Sequence, residues 1–346
     1  MASLPTLPRE LVDNIIEIVL LSSRPPPEDP DAARAQGQRF PVKDFECRSW
    51  HHEDVLYGTS PHEMSSESLP LLLVNQQIHW QTKKAIDRIV KAKRLDYQLD
   101  VMFVDGYQLW PTFLCVPALT TRVNSIHTDI RIFVMPRDKS QEAYFALRGG
   151  SGGPPGIVWA FYALLERFLQ RGASYASPGA DLDEENRNRL KKKHLVNKDV
   201  TIDTLTINFS TPEDPSCVKS VPELYRHPSL AGTGEGTAVS PKYLANFVAG
   251  FVRSLLVMGY HSAQFGAILH ERIGRIVILV DGKLEREFNL GAELQALNYT
   301  DPISTFGHIT PRERRPEVFG NWKLAALYKR KQYGFDSLNT IPSLNR

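Results

Sequence analysis

The chain has 346 residues, enough for one or two domains with a sizeable hydrophobic core and no need of disulfides. Hydrophobic residues at 42% and charged residues at 23% exclude a disordered chain, and 22 Gly with 24 Pro exclude a collagen-like or linker-dominated one. Lys and Arg number 41 against 39 Asp and Glu, so the net charge is +2 and neither nucleic acid nor an anionic membrane is an expected partner.

The three cysteines, Cys47, Cys115 and Cys217, are odd in number and far apart, with no C-x-x-C pair. That usage fits a reducing compartment. The first residues lack the basic and apolar regions of a signal peptide, and no apolar run is long enough to span a bilayer. A cytoplasmic or nuclear location is expected.

The first predicted element is a helix over 7–21. Leu11, Val12, Ile15, Ile16, Val19 and Leu20 give it a wide apolar face at spacings of four. Pro8 and Glu10 suit its first turn, and Arg24-Pro25-Pro26-Pro27 ends it. Residues 24–68 read as a long irregular insertion, rich in Pro, Asp, Glu, Ser and His. A second helix is predicted over 69–91, with Leu71, Val74, Ile78, Thr82, Ala85 and Ile89 on one face.

From residue 95 the period changes to two. Leu99, Val101 and Phe103 alternate with polar residues, and Asp105-Gly106 turns the chain into a returning strand over 109–116. Pro111 places that strand at an edge or a bulge. Further strands are predicted over 126–134, 200–209, 275–280 and 283–290, the last two joined by Asp281-Gly282. Helices are predicted over 157–170, from Ser240-Pro241 to about Met258, and over 322–331. The run Ile276 to Val280 is apolar at both parities, which predicts a strand covered on both faces by the helices over 157–170 and 241–258.

Two short segments carry a family resemblance. Leu4-Pro5-Thr6-Leu7-Pro8-Arg9-Glu10-Leu11-Val12-Asp13-Asn14-Ile15-Ile16 is similar to the opening of an F-box. Leu71-Leu72-Leu73-Val74-Asn75-Gln76-Gln77-Ile78 with Trp80 resembles its later half. Together they resemble the F-box-like proteins of filamentous fungi. The resemblance covers about the first quarter of the chain. It implies a helical module that docks a Skp1-like protein of a Skp1–cullin–F-box ubiquitin ligase. Partner contacts would then fall to Leu7, Pro8, Leu11, Val12, Ile15 and Ile16, with Leu72, Val74, Ile78 and Trp80 completing or supporting that surface. The two halves are separated by the 24–68 insertion, where the usual module has a short link.

Other chemistry is weaker. Gly149-Gly150-Ser151-Gly152-Gly153 matches G-x-S-x-G, but no strong apolar strand precedes it and its composition is that of a flexible loop. Cys47, His51, His52 and His62 lack the second half of a structural zinc site. His127, Asp129 and Arg131 project from one strand face and read as its wet side or as ion pairs. Asp181 to His194 is acidic then basic, a self-neutralising solvated run. No cofactor and no metal is expected.

The expected fold is α+β. A helical F-box-like part over 1–92 precedes a mixed β-sheet packed by helices over 93–335, with a flexible tail over 336–346. The expected role is non-catalytic protein interaction, as a ligase adaptor for an unknown protein substrate. The alternatives are an enzyme with a site near the His127 strand or the Gly-rich loop, and a structural protein whose first helices only cap the core.

Overall fold

The structure is a computed structural model. It describes residues 7–42, 45, 47, 51–58, 66–134, 145–147, 155–173, 197–213, 218–219, 238–259, 262–299, 306 and 310–335. The Gly149–Gly153 loop, the 181–194 charged run, His62, Cys217 and the 336–346 tail lie outside the described residues.

In chain order the elements are α1 (Arg9–Leu20), α2 (Pro30–Gln36), β1 (Arg39–Pro41), β2 (Leu56–Gly58), α3 (Ser68–Val74), α4 (Gln76–Lys91), β3 (Asp96–Val104), β4 (Gln108–Cys115) and β5 (Arg122–Ile132). They continue with α5 (Gly156–Arg171), β6 (Thr201–Ser210), β7 (Val218–Lys219), β8 (Ala238–Val239), α6 (Pro241–Leu256), α7 (Ala263–Arg272), β9 (Ile273–Val280), β10 (Lys283–Asn289), α8 (Leu290–Ala296) and α9 (Arg315–Gln332). This is an α+β fold around one six-stranded mixed sheet of order β10-β9-β6-β5-β3-β4.

The turns work as the sequence predicts. Asp105 and Gly106 both take positive φ between β3 and β4, and Asp281 and Gly282 do so between β9 and β10. Such paired left-handed residues give a tight hairpin whose twist matches the strands. Each hairpin adds one antiparallel strand at a sheet edge. Pro111 sits on β4, an edge strand of that sheet, where its missing N–H is tolerated. The Ser240 hydroxyl accepts from the Tyr243 N–H and Pro241 opens α6.

Strands β3, β5, β6 and β9 are parallel and follow one another across the sheet in one direction. Parallel crossovers are right-handed. With no reversal of strand order, successive crossover helices fall on the same face. Helices α5 and α6 do so, and side chains of both close over Ile126, Ile130, Leu205 and Ile207. This corrects the expectation that β9 is covered on both faces. Ile276 and Ile278 are buried, but Val277 and Leu279, of opposite parity, are only half-buried. They share their face with exposed His127, Asp129 and Arg275.

The N-terminal helices join the same core. Val12, Ile16 and Leu20 of α1 and Ile78, Ala85 and Ile89 of α4 belong to one cluster with Leu95, Tyr97, Ile126 and Ile276. The predicted 69–91 helix is broken in two at Asn75. Asn75 is extended, and its side chain accepts from the Ile78 N–H at 2.9 Å to cap α4. A short polar side chain competes for backbone bonds and favours a new helix start.

Residues 24–68 carry more regular structure than the sequence suggests. They hold α2, the β1–β2 pair and a helical turn over His52–Asp54. Residue Val55 bridges to Leu109 of β4, and Ala33 and Leu56 pack with Met102, Val104 and Trp110 in a second, smaller cluster. Three helices also exceed expectation, among them α8, whose first residue, Leu290, was expected to end a strand. Segment 263–272, which lacks a clean stripe, forms α7, and the predicted 322–331 helix extends back to Arg315.

Candidate functional site

Helix α1 has two apolar stripes, and the fold uses one. Val12, Ile16 and Leu20, spaced i, i+4 and i+8, turn inward and are buried. Leu11, Ile15, Ile18 and Val19 turn outward, with Ile18 69% exposed. Charge pairs at the rim hold α1 on α4. Asp13 lies 3.5 Å from Arg88, and Glu17 pairs with Arg94 at 2.7 Å.

Helix α3 adds a second apolar surface on the same support. Leu73 is 75% and Val74 62% exposed, and Leu69 is exposed as well. The joint between α3 and α4 is fixed by the Asn75 cap and by the His79 ring, whose Nδ1–H donates to the Leu72 carbonyl at 2.9 Å. Trp80, at the start of α4, is exposed and lies under the Lys83 ammonium, 5.5 Å from its ring centre. Single exposed apolar side chains are ordinary, whereas α1 and α3, each packed on α4, both carry several outward apolar side chains.

The residues named from the family resemblance divide accordingly. Pro8, Leu11, Ile15, Val74 and Trp80 are exposed, and Leu7 and Leu72 are half-buried. Val12, Ile16 and Ile78 are spent on the core. Val12 and Ile16, expected as contacts, are thus turned away from the outer surface, and Ile78 supports it from beneath, as one of its two expected roles allows. Ile18, Val19, Leu69 and Leu73 belong to the outer surface and were not among the named residues. The doubled apolar pairs along α1 were the available signal. One buried stripe needs only half of them.

The linking insertion leaves the two halves together. The Arg24 guanidinium meets the Glu67 carboxylate at 2.7 Å, so the chain departs after α1 and returns before α3 at one point. The other Glu67 oxygen accepts from the Val116 N–H at 2.8 Å, and the Arg24 N–H donates to the Leu114 carbonyl at 2.9 Å.

The remaining candidates do not converge. His127 is exposed, and Asp129 accepts from the Asn208 amide at 2.8 Å on the open face of the sheet. Arg131 forks onto Asp100 instead, at 2.6 and 2.9 Å. In the insertion, His51 pairs with Asp54 and His52 with Glu53. Among the described residues no three His, Cys, Asp or Glu side chains group as metal ligands. Burial and the Glu67 carboxylate push the Cys115 thiol up to about 12, far from a nucleophilic thiolate. No helix among the described residues is long and apolar enough to cross a membrane.

No family model, no curated protein and no solved structure matches this chain.

Proposed function

We propose that this chain is a non-catalytic interaction protein that docks a Skp1-like partner through the outer faces of α1 and α3. It would act as a substrate adaptor of a Skp1–cullin–F-box type ligase, and the α+β body would present a surface to a protein substrate. The observation that carries the reading is the division of α1. Its inner stripe already satisfies the core, yet Leu11, Ile15, Ile18 and Val19 keep an outer apolar stripe exposed. The segments that resemble the F-box are the ones that bear this surface, and the Arg24–Glu67 pair brings their ends together despite the insertion.

Co-expression with a Skp1-like protein tests it. The wild-type chain is expected to co-purify with that protein. Ile18→Asp and Leu73→Asp are expected to abolish co-purification while changing the urea midpoint by no more than about 0.5 kcal/mol equivalent, as for exposed sites. Absence of the complex, or a complex indifferent to both substitutions, would sink the reading.

A further inference from the structure

Helices α5 and α6 cover neighbouring strands without packing closely on each other. Between them and the sheet lies a cavity of about 90 Å³. Its floor is Ile126, Ile130 and Leu205, all buried. Its walls combine buried and half-exposed apolar side chains. On α5 the polar Glu166, Arg167, Gln170 and Arg171 are buried, while Phe161, Leu164 and Leu165 are half-exposed. Opposite them, Phe251 and Val252 of α6 also line the cavity and are half-exposed. Half-exposed apolar side chains of both helices thus meet in one cavity.

The lining decides the chemistry of an occupant. Tyr162 already donates its hydroxyl to the Phe265 carbonyl at 3.0 Å, and the Arg167 guanidinium lies over the Tyr57 ring at 4.6 Å. No buried lining side-chain atom among the described residues is an orphaned donor or acceptor. The lining is apolar but for a few polar side chains, the Thr128 hydroxyl among them, so recognition would rest mainly on apolar transfer and dispersion. Size narrows it further. Apolar cavities of about 150 Å³ stay dry and take up a benzene molecule. Substrate pockets are several hundred Å³ with convergent polar groups. This cavity is below both.

We infer that the gap between α5 and α6 binds the end of a hydrocarbon chain. The terminal carbons enter over Ile126 and Ile130, and the remaining chain leaves between Leu164 and Val252 with its head group in water. Such an occupant supplies the contacts that the two helices do not make with each other. This site is separate from the α1–α3 surface and does not depend on the adaptor reading.

Straight-chain alcohols test it by calorimetric titration of the full-length protein. One-to-one saturable binding is expected, tightening about fourfold per added methylene over the shorter alcohols and levelling off once the cavity is full. A negative heat-capacity change should accompany it. Val252→Phe and Leu164→Phe, which enlarge lining side chains on the two different helices, are expected to weaken binding at least tenfold while the thermal midpoint holds or rises. Either variant suffices if the other misfolds. Sedimentation with neutral phosphatidylcholine vesicles distinguishes the source of the chain. Co-sedimentation lost in these variants assigns it to membrane lipid, and alcohol binding without co-sedimentation assigns it to a free amphiphile. Absence of saturable alcohol binding, or binding unaffected in the folded variants, overturns the inference.

Discussion

Arg24 and Glu67 form an ion pair at 2.7 Å although they stand 43 positions apart. Glu67 is nearly buried there and also holds the Val116 N–H. One carboxylate thus ties the start of the insertion, its end and the strand β4 edge. Glu67→Ala should cost about 1–3 kcal/mol, because it strands the Val116 backbone donor and removes the ion pair with Arg24. Glu67→Gln should cost less, since an amide oxygen can still accept from Val116. A double-mutant cycle with Arg24→Ala, read by urea denaturation, should give a coupling that salt weakens only in part. Additive losses in that cycle would show that the pair does not act as a clamp.

Asp100 and Arg131 make a second tie. Asp100 is 1% exposed, and Arg131 reaches beyond it to the Pro27 and Glu28 carbonyls at 2.7 and 3.0 Å. Burial raises the Asp100 carboxyl above its ordinary 3.8, against the pull of the Arg131 hydrogen bonds and charge. Arg131→Leu should cost about 3–5 kcal/mol at neutral pH, since it leaves a buried carboxylate unpaired. The folded state of that variant should bind a proton more readily than the unfolded chain. Its deficit should therefore shrink as pH falls towards the raised value. Urea midpoints compared at neutral pH and near pH 5 check this, and a deficit that grows on acidification contradicts it.

His270 titrates the other way. It is fully buried on α7, and its Nε2–H donates to the Leu256 carbonyl at 2.9 Å. Burial holds its ring below the ordinary 6.5 against the pull of backbone hydrogen bonds at Leu256 and Leu290, with the nearby Arg330 guanidinium adding to the lowering and Glu271 opposing it. The folded state keeps this imidazole neutral, whereas the unfolded chain protonates it near 6.5. The stability involved is present above that pH and is lost as pH falls towards the lowered value. Thermal midpoints should drop on acidification below about pH 6.5, and His270→Phe should flatten that drop. Parallel pH profiles for the two proteins would remove His270 as the cause.

Two glycines give opposite expectations for the same substitution. A Cβ on Gly266 of α7 would stand 2.1 Å from the Leu255 carbonyl oxygen, where backbone must move. On Gly250 of α6 it would meet nothing within 4 Å. Gly266→Ala should destabilise by several kcal/mol through overpacking, and Gly250→Ala should stabilise by about 0.4–1 kcal/mol. Thermal unfolding of the pair decides it, and equal midpoints would contradict the close α6–α7 crossing.

Much of the local structure was legible because its causes are local. Asp105-Gly106 and Asp281-Gly282 can take the left-handed backbone that a two-residue hairpin needs, and each does. Ser240-Pro241 caps and starts a helix with its own atoms. The inward spacing of Val12, Ile16 and Leu20 was present in the periodicity. The Asn75 break was also written locally, yet the apolar run across it masked the cap. The exposed site was half legible. Leu11 and Ile15 were named, whereas Ile18 and Leu73 needed the packed structure.

The sequence by itself determined where strands turn, where helices begin and that α1 carries two apolar stripes. Only the tertiary structure decided which stripe faces α4, because two adjacent rows of aliphatic side chains are equivalent until a partner surface selects one. It also decided the fate of Ile276 to Val280, whose apolar parity is the same for a strand covered once or twice. The single direction of the strand order put α5 and α6 on one face and left Val277 and Leu279 on the other. The Arg24–Glu67 clamp lay beyond periodicity altogether, since a contact across 43 residues exists only after the chain between its ends has found the sheet edge.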